Sequence, residues 1–371
     1  MDMYDAKHLY DRLKVAEREN EMLDLDTRLR AMNGPLLSWY EEHARILPWR
    51  ENPEGYRVWI SEIMLQQTRV EAVKPYFERF LEALPDVKSL ALVEDDRLMK
   101  LWEGLGYYNR ARNLKKAAGI ILEEYGGKMP ETYEELLKLP GIGSYTAGAI
   151  SSIAFGHPVP AVDGNVLRVI SRVTASREDI LKVSTKKWME QHLRETMPKD
   201  RASHFNQGLI EIGAIVCVPN GQPHCGECPL ESICLAKKQN LIAEIPVKTP
   251  PKKRRLEDKT VCILECGGQV ALKKRDDTGL LASLYELPNC EGYLEAEDVP
   301  EAFGLDPENI VELEQIGPAK HIFSHVEWHM IGYRVKLKEK IPDSYIAAGK
   351  NELKTIYALP NAFGRYTKMI K

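Results

Sequence analysis

The stretch Leu139 to Val166, LPGIGSYTAGAISSIAFGHPVPAVDGNV, constrains this chain more than any other. Pro140 ends the helix suggested by TYEELLKL, because proline has no amide hydrogen with which to continue it. Gly141 and Gly143 permit a tight hairpin in which φ > 0 carries no Cβ penalty. Ser144 then opens a second helix, YTAGAISSIAF, small on one face and apolar on the other. Such a turn aims several unpaired amide N–H groups at one point, which suits a phosphate oxygen. The contact needs no side-chain charge and positions a nucleic-acid backbone without reading its sequence. Asp163 follows, either as the N-cap of NVLRVISRV or as a carboxylate placed beside the hairpin.

A length of 371 residues suits two domains, and 44% hydrophobic with 29% charged residues describes an ordinary soluble protein. No run approaches a membrane span. The N-terminus, MDMYDAKHLYDRLKVAEREN, lacks the basic start and apolar core of a secretory signal, so a cytoplasmic protein is expected. The net charge of -4 argues weakly against a nucleic-acid partner, but residues 236–260 carry 8 Lys+Arg against 3 Asp+Glu. Any DNA would be steered by a local field. Four of the seven cysteines, Cys217, Cys225, Cys228 and Cys234, lie within one short stretch. In a cytoplasmic chain that clustering favours a metal over a disulfide framework, and four thiolates with one C-x2-C half could hold tetrahedral zinc.

Residues 1–31 are charge-dense and read as an N-terminal extension without an assigned function. Residues 32–242 read as one all-α domain, with apolar positions recurring at three and four, the hairpin at 139–146 and the cysteine loop at 217–234. A Pro-containing basic linker follows at 243–258 and reads as a solvated tether or a phosphate contact. From 259 to 371 the pattern changes to strands, TVCILEC, QVALKKR and MIGYRVKLK, which makes an α+β domain.

LPGIGSYTA followed by VDGNV resembles the helix-hairpin-helix DNA glycosylases of the endonuclease III superfamily, and WISEIMLQQT resembles the adenine glycosylases of the MutY type almost letter for letter. GLLASLYELP is similar to a stretch of the Nudix-like C-terminal domain of those enzymes, with Tyr285 in place of the usual Trp. The glutamate-rich helix of Nudix hydrolases is absent, so this domain is expected to recognise rather than hydrolyse. The resemblance implies a base-excision-repair enzyme that removes adenine opposite 8-oxoguanine or G in double-stranded DNA. It is expected to be monomeric and bacterial, to act at the nucleoid, and to have no membrane partner.

Hydrolysis of an N-glycosidic bond needs a proton for the leaving base and stabilisation of a sugar cation, which two carboxyl groups in different environments can supply. Glu62, in an otherwise apolar helix, would have its pKa raised by burial and keep a proton available. The resemblance assigns it to protonating adenine N7. It assigns Asp163 to the sugar cation and Asn165 to holding that site in register. Tyr145 stands where bifunctional relatives carry a lysine, so a monofunctional glycosylase is implied. A pocket for adenine is implied at Arg45, Leu47, Trp49, Arg50 and Gln207. Because adenine is a normal base, its partner must also be read, and the resemblance gives that task to Leu65, Gln67, Tyr107, Phe323, Ser324 and His325. Gly141, Gly143 and Thr146 are expected at the DNA phosphate. The cysteine loop resembles the 4Fe-4S loop of the family, although its first gap is one residue longer than is common there.

Overall fold

A computed structural model describes residues 24–250 and 252–370, which divide into two compact units. Of the described residues, one takes in 24–91 and 116–250, and the other takes in 92–115 and 252–370. The helices used below are, in chain order, α1 (Leu25–Ala31), α2 (Asn33–His43), α3 (Gly55–Leu65), α4 (Val70–Ala83), α5 (Asp95–Trp102), α6 (Asn109–Glu124), α7 (Ser144–Ile153), α8 (Gly164–Val173), α9 (Val183–Thr196) and α10 (Ala202–Glu211). Among the described residues no helix is long and apolar enough to cross a membrane.

In the first unit, α8 shows how the helical pattern becomes a core. Val166, Val169, Ile170 and Val173 recur at three and four and are all buried among Leu36, Phe205 and Leu209 of α2 and α10. The expected extension at 1–31 is corrected at its end. Asp24 caps α1 by accepting the Thr27 N–H at 3.1 Å, Leu29 joins the core, and Arg28 donates to the Ile233 carbonyl at 2.8 Å. Residues 1–23 lie outside the described residues. The linker is also shorter than expected at both ends. Ile245 is buried beside Cys234 and Ala236, its carbonyl accepts from Arg172 at 2.8 Å, and the chain joins a strand at Arg255.

The second unit is built on a sheet of β1 (Arg255–Cys266), β2 (Gln269–Lys274), β3 (Tyr285–Glu286), β4 (Asn289–Glu291), β5 (Ile310–Ile322), β6 (Val326–Leu337) and β7 (Ile346–Gly349). Its order is β3-β2-β1-β6-β5, with β4 also paired to β1 and β7 to β2; β1 and β6 run parallel with Thr260 opposite Ile331. Alternation feeds two cores: Val261 and Ile263 pack with Trp328 and Met330 on one face, Cys262 and Leu264 with Tyr333 and Val335 on the other. Residues 92–115, expected within the helical domain, group with these strands. β5 escapes sequence reading because it is largely exposed and rich in charge, with its register shifted where Gly317 and Pro318 interrupt it.

Candidate active site and cysteine loop

Glu62 sits on α3 between buried neighbours and is only 6% exposed. Its Oε2 accepts the Tyr145 hydroxyl at 2.6 Å, and Tyr145 reaches it from the first turn of α7. Burial pushes the Glu62 pKa up to about 7, the Tyr145 hydrogen bond acts downward, and the Asp163 charge adds a further upward push. Ser61, next to it on α3, donates its hydroxyl to the Val58 carbonyl at 2.9 Å.

Asp163 is the N-cap of α8 as well as a cavity residue. Its Oδ1 accepts the Asn165 and Val166 N–H groups at 2.9 and 2.8 Å, and its Oδ2 accepts the Asn165 side-chain amide at 2.7 Å. Burial raises its pKa from the ordinary value, and these donors together with Arg168 oppose the rise. One donor faces the Glu62 carboxyl whereas three face Asp163, so of the two Asp163 is the better solvated as an anion. Asn165 is itself held by Arg168, whose Nη2 donates to Asn165 Oδ1 at 2.9 Å and to the Gly213 carbonyl at 2.6 Å. A Cβ on Gly213 would stand 2.5 Å from Asn165 Cβ, so only glycine allows the π-helical turn Ile212–Val216 to lie this close.

Both carboxyls line one cavity of about 450 Å³. Its wall includes Arg45, Leu47, Trp49, Arg50 and Gln207, the residues expected to hold a base, and Leu65, Gln67, Tyr145 and Asn165. Leu47 and Trp49 are buried, and Trp49 meets Phe77 edge to face, so each serves core and cavity together. Gln67 adopts φ +57, a conformation that costs a non-glycine residue free energy and recurs at functional turns.

Sequence reasoning missed Glu211, which organises the cavity's cations. It is fully buried; Arg45 Nε approaches Oε1 at 2.6 Å and Arg50 Nη2 approaches Oε2 at 2.7 Å. Burial raises its pKa, but the two guanidinium groups outweigh this and hold the carboxyl below its ordinary value. The available signal was its place four residues after Gln207, on the same face of α10. Gln66 also lines the cavity and was missed.

The hairpin differs in detail from expectation. Gly141 has φ +78, whereas Gly143 is extended and caps α7, with open space where a Cβ would stand. Thr146 is 2% exposed and its hydroxyl lies 3.5 Å from Gln66 Nε2, so its side chain faces inward rather than toward a phosphate. The remaining residues, Tyr107 and Phe323 to His325, belong to the second unit. Tyr107 is half-exposed with φ +49. Ser324 and His325 form the exposed turn between β5 and β6, while Phe323 packs against Trp328 at 4.8 Å and anchors the turn from inside.

Cys217, Cys225, Cys228 and Cys234 converge on one small pocket, and none is in a disulfide. Four thiols converging on one pocket make a donor set of the number and softness that an iron–sulfur cluster or a tetrahedral zinc takes. Arg172 donates to Cys217 Sγ at 3.1 Å and Arg168 to the Cys217 carbonyl at 2.7 Å, which joins α8 to the loop.

A hairpin with an open helix N-terminus is thus followed by an aspartate that caps the next helix and shares one cavity with a buried glutamate. Residues 60–199 match the family described as HhH-GPD superfamily base excision DNA repair protein, and residues 260–369 match a NUDIX domain. The chain belongs to the adenine DNA glycosylase family and is a DNA N-glycosylase, a hydrolase. It is 33% identical to the adenine DNA glycosylase of Homo sapiens, over 86% of this chain and 69% of that relative. It is 36% identical to that of Buchnera aphidicola subsp. Schizaphis graminum, over 81% of this chain and 86% of the relative. A solved non-covalent endonuclease III–DNA complex aligns with TM-score 0.51 at 27% identity, covering 59% of this chain and 99% of that one.

Proposed function

We propose that this glycosylase flips adenine out of a duplex in which it faces 8-oxoguanine, and also G, and releases it by hydrolysis without cutting the strand. The observation that carries the reading is the pairing of a protonated-leaning Glu62 with an anion-solvating Asp163 site in one cavity. Glu62 gives its proton to adenine N7. The N-glycosidic electron pair leaves with the base, and Asp163 stabilises the sugar cation or bonds to it until water takes its place. Tyr145 carries no amine, so no Schiff base forms there, and its hydroxyl orients the Glu62 carboxyl. The Arg45 and Arg50 pair, bridged by Glu211, and Gln207 supply polar edges for the base, while Leu47 and Trp49 supply its walls.

The open N-terminus of α7 offers its backbone amides to a phosphate oxygen, and the absence of a Cβ at Gly143 lets the DNA backbone come close. Leu65, Gln67 and Tyr107 support the stack around the partner base, and Ser324 can hydrogen-bond the N7–H and O8 that distinguish 8-oxoguanine from G. The four cysteines would hold one 4Fe-4S cluster, which when bound cross-links the loop 217–234. The enzyme acts as a monomer.

The test is base release from a duplex containing a single A opposite 8-oxoguanine, with and without hot alkali. Cleavage of the A strand that requires alkali is expected. Cleavage without alkali would reveal a lyase amine and overturn the monofunctional reading, and tight binding with no released adenine would overturn the catalytic one.

A further inference from the structure

Helix α5 and the turn after it are held to the strands of the second unit by polar contacts that adenine chemistry does not use. Lys100 Nζ donates to the carbonyls of Leu353 and Tyr357 at 2.8 and 3.1 Å, at the end of the helix Lys350–Thr355 and just beyond it. It thereby satisfies carbonyls that a helix C-terminus leaves unpaired. Lys100 also pairs with Glu103 at 2.7 Å, and Glu103 Oε1 accepts the Leu359 N–H at 2.8 Å. One turn earlier, Asp96 accepts the Tyr285 hydroxyl of β3 at 2.8 Å and Lys274 Nζ of β2 at 3.1 Å. Asp96, Lys100 and Glu103 are spaced by four and three, which places them along one side of the helix.

The turn that follows carries Tyr107 in its strained conformation. That turn is built directly on α5. Trp102 Nε1 donates to the Gly106 carbonyl at 3.1 Å, and Arg110 donates to the carbonyls of Leu105 and Gly106 at 3.1 and 3.0 Å. The Arg110 guanidinium lies over the rings of both Trp102 and Tyr107. The place of Tyr107 is therefore set by α5, and that of α5 by β2, β3 and the segment 353–359.

We infer that Asp96, Lys100 and Glu103 are positioning residues for partner-base discrimination: they tie Tyr107 to the unit that carries Ser324 and His325, so that both contacts meet the partner base together. The inference rests on the proposed role of Tyr107 and of the β5–β6 turn as partner-base contacts. It accounts for three charged side chains of one short helix and its C-cap being committed to contacts with the strands and the segment 353–359, and it makes discrimination separable from bond cleavage.

The experiment measures single-turnover excision by the full-length enzyme on duplexes with A opposite 8-oxoguanine and A opposite G. Lys100→Met and Glu103→Ala should each lower the preference for 8-oxoguanine about tenfold while excision of A opposite G at saturating enzyme stays within about twofold. Glu103→Gln retains an acceptor for the Leu359 N–H and should keep most of the preference. Tyr107→Ala combined with Lys100→Met should lose little more than Tyr107→Ala alone, because both act through one contact. Equal loss on both duplexes, with a lowered unfolding temperature, would show a merely structural tether and overturn the inference. Unchanged preference in Lys100→Met, with preference lost in Ser324→Ala/His325→Ala, would overturn the tether and leave the recognition reading standing. If neither that double substitution nor Tyr107→Ala changes the preference, the recognition reading itself fails.

Discussion

The cavity of the helical unit and the β5–β6 turn of the other unit use polar residues in opposite ways. In the cavity, Glu62 and Glu211 are 6% and 0% exposed, and each is specified by what faces it: one tyrosine hydroxyl for the first, two guanidinium groups for the second. At the turn, Ser324 and His325 are exposed, and their side chains lie 3.3 Å apart. Bond cleavage requires groups whose protonation is altered by desolvation, so it needs burial and rigid helices. Under the proposed function, reading a base edge needs donors that remain free to exchange water for the partner, and a short turn anchored by Phe323 would supply them. The same residue classes therefore carry different energies in the two places.

The sharpest way to break that contrast is Glu62→Gln. Tyr145 can still donate to the new amide oxygen, so the fold and DNA binding should survive, while excision falls by about 10²–10⁴-fold, the range of a lost general acid. Retained excision in a single-turnover assay would remove Glu62 from the chemistry. Asp163→Asn follows, because asparagine caps helices as well as aspartate and stability should change by no more than about 1 kcal/mol. Excision should nevertheless drop by about 10²–10³-fold through loss of charge opposite the sugar cation. A variant that excises normally would reduce Asp163 to its capping role.

Glu211→Gln leaves two cations facing a neutral group in a buried place. It should cost about 3 kcal/mol in urea unfolding and weaken excision as the Arg45 and Arg50 side chains lose their alignment; an unchanged midpoint would show that the pairs contribute little.

The pH dependence gives a smaller effect with a definite sign. Because the folded pKa of Glu62 is raised to about 7, its acid form dominates below that value, and excision should decline about tenfold per pH unit above it. Its contribution to stability has the same sense: it is fully present below the ordinary carboxyl pKa and is lost as pH rises through about 7. Tyr145→Phe removes a donor that favours the anion, so the falling limb should move to higher pH, and a shift the other way would contradict the geometry. Smallest is Ser324→Ala with His325→Ala, which should reduce the preference for 8-oxoguanine over G several-fold while leaving adenine release opposite G intact.

Most of the cavity was legible because its residues sit in short strings whose spacing is local. WISEIMLQQT places Glu62 and Leu65 on one helix, and the residues flanking Asp163 make its cap geometry a matter of the next three positions. Glu211 was not legible, since its partners lie 166 and 161 residues away and nothing in FNQGLIEIGA announces two arginines. At Thr146 the hairpin predicts where the N–H lies, and only packing shows that the hydroxyl turns toward Gln66. β5 was invisible because an exposed, charged edge strand lacks the alternation that burial imposes.

The amino-acid sequence by itself determined the hairpin, the periodic helices, the change to strands near residue 259 and the four clustered thiols. These depend on backbone preferences and spacings that act over a few residues. Only the tertiary structure decided how burial and hydrogen-bond donors act on each carboxyl, how two arginines share Glu211, and that residues 92–115 group with the strands rather than with the other helices. Those properties arise from desolvation and from contacts between distant segments, and both come into being only when the chain has packed.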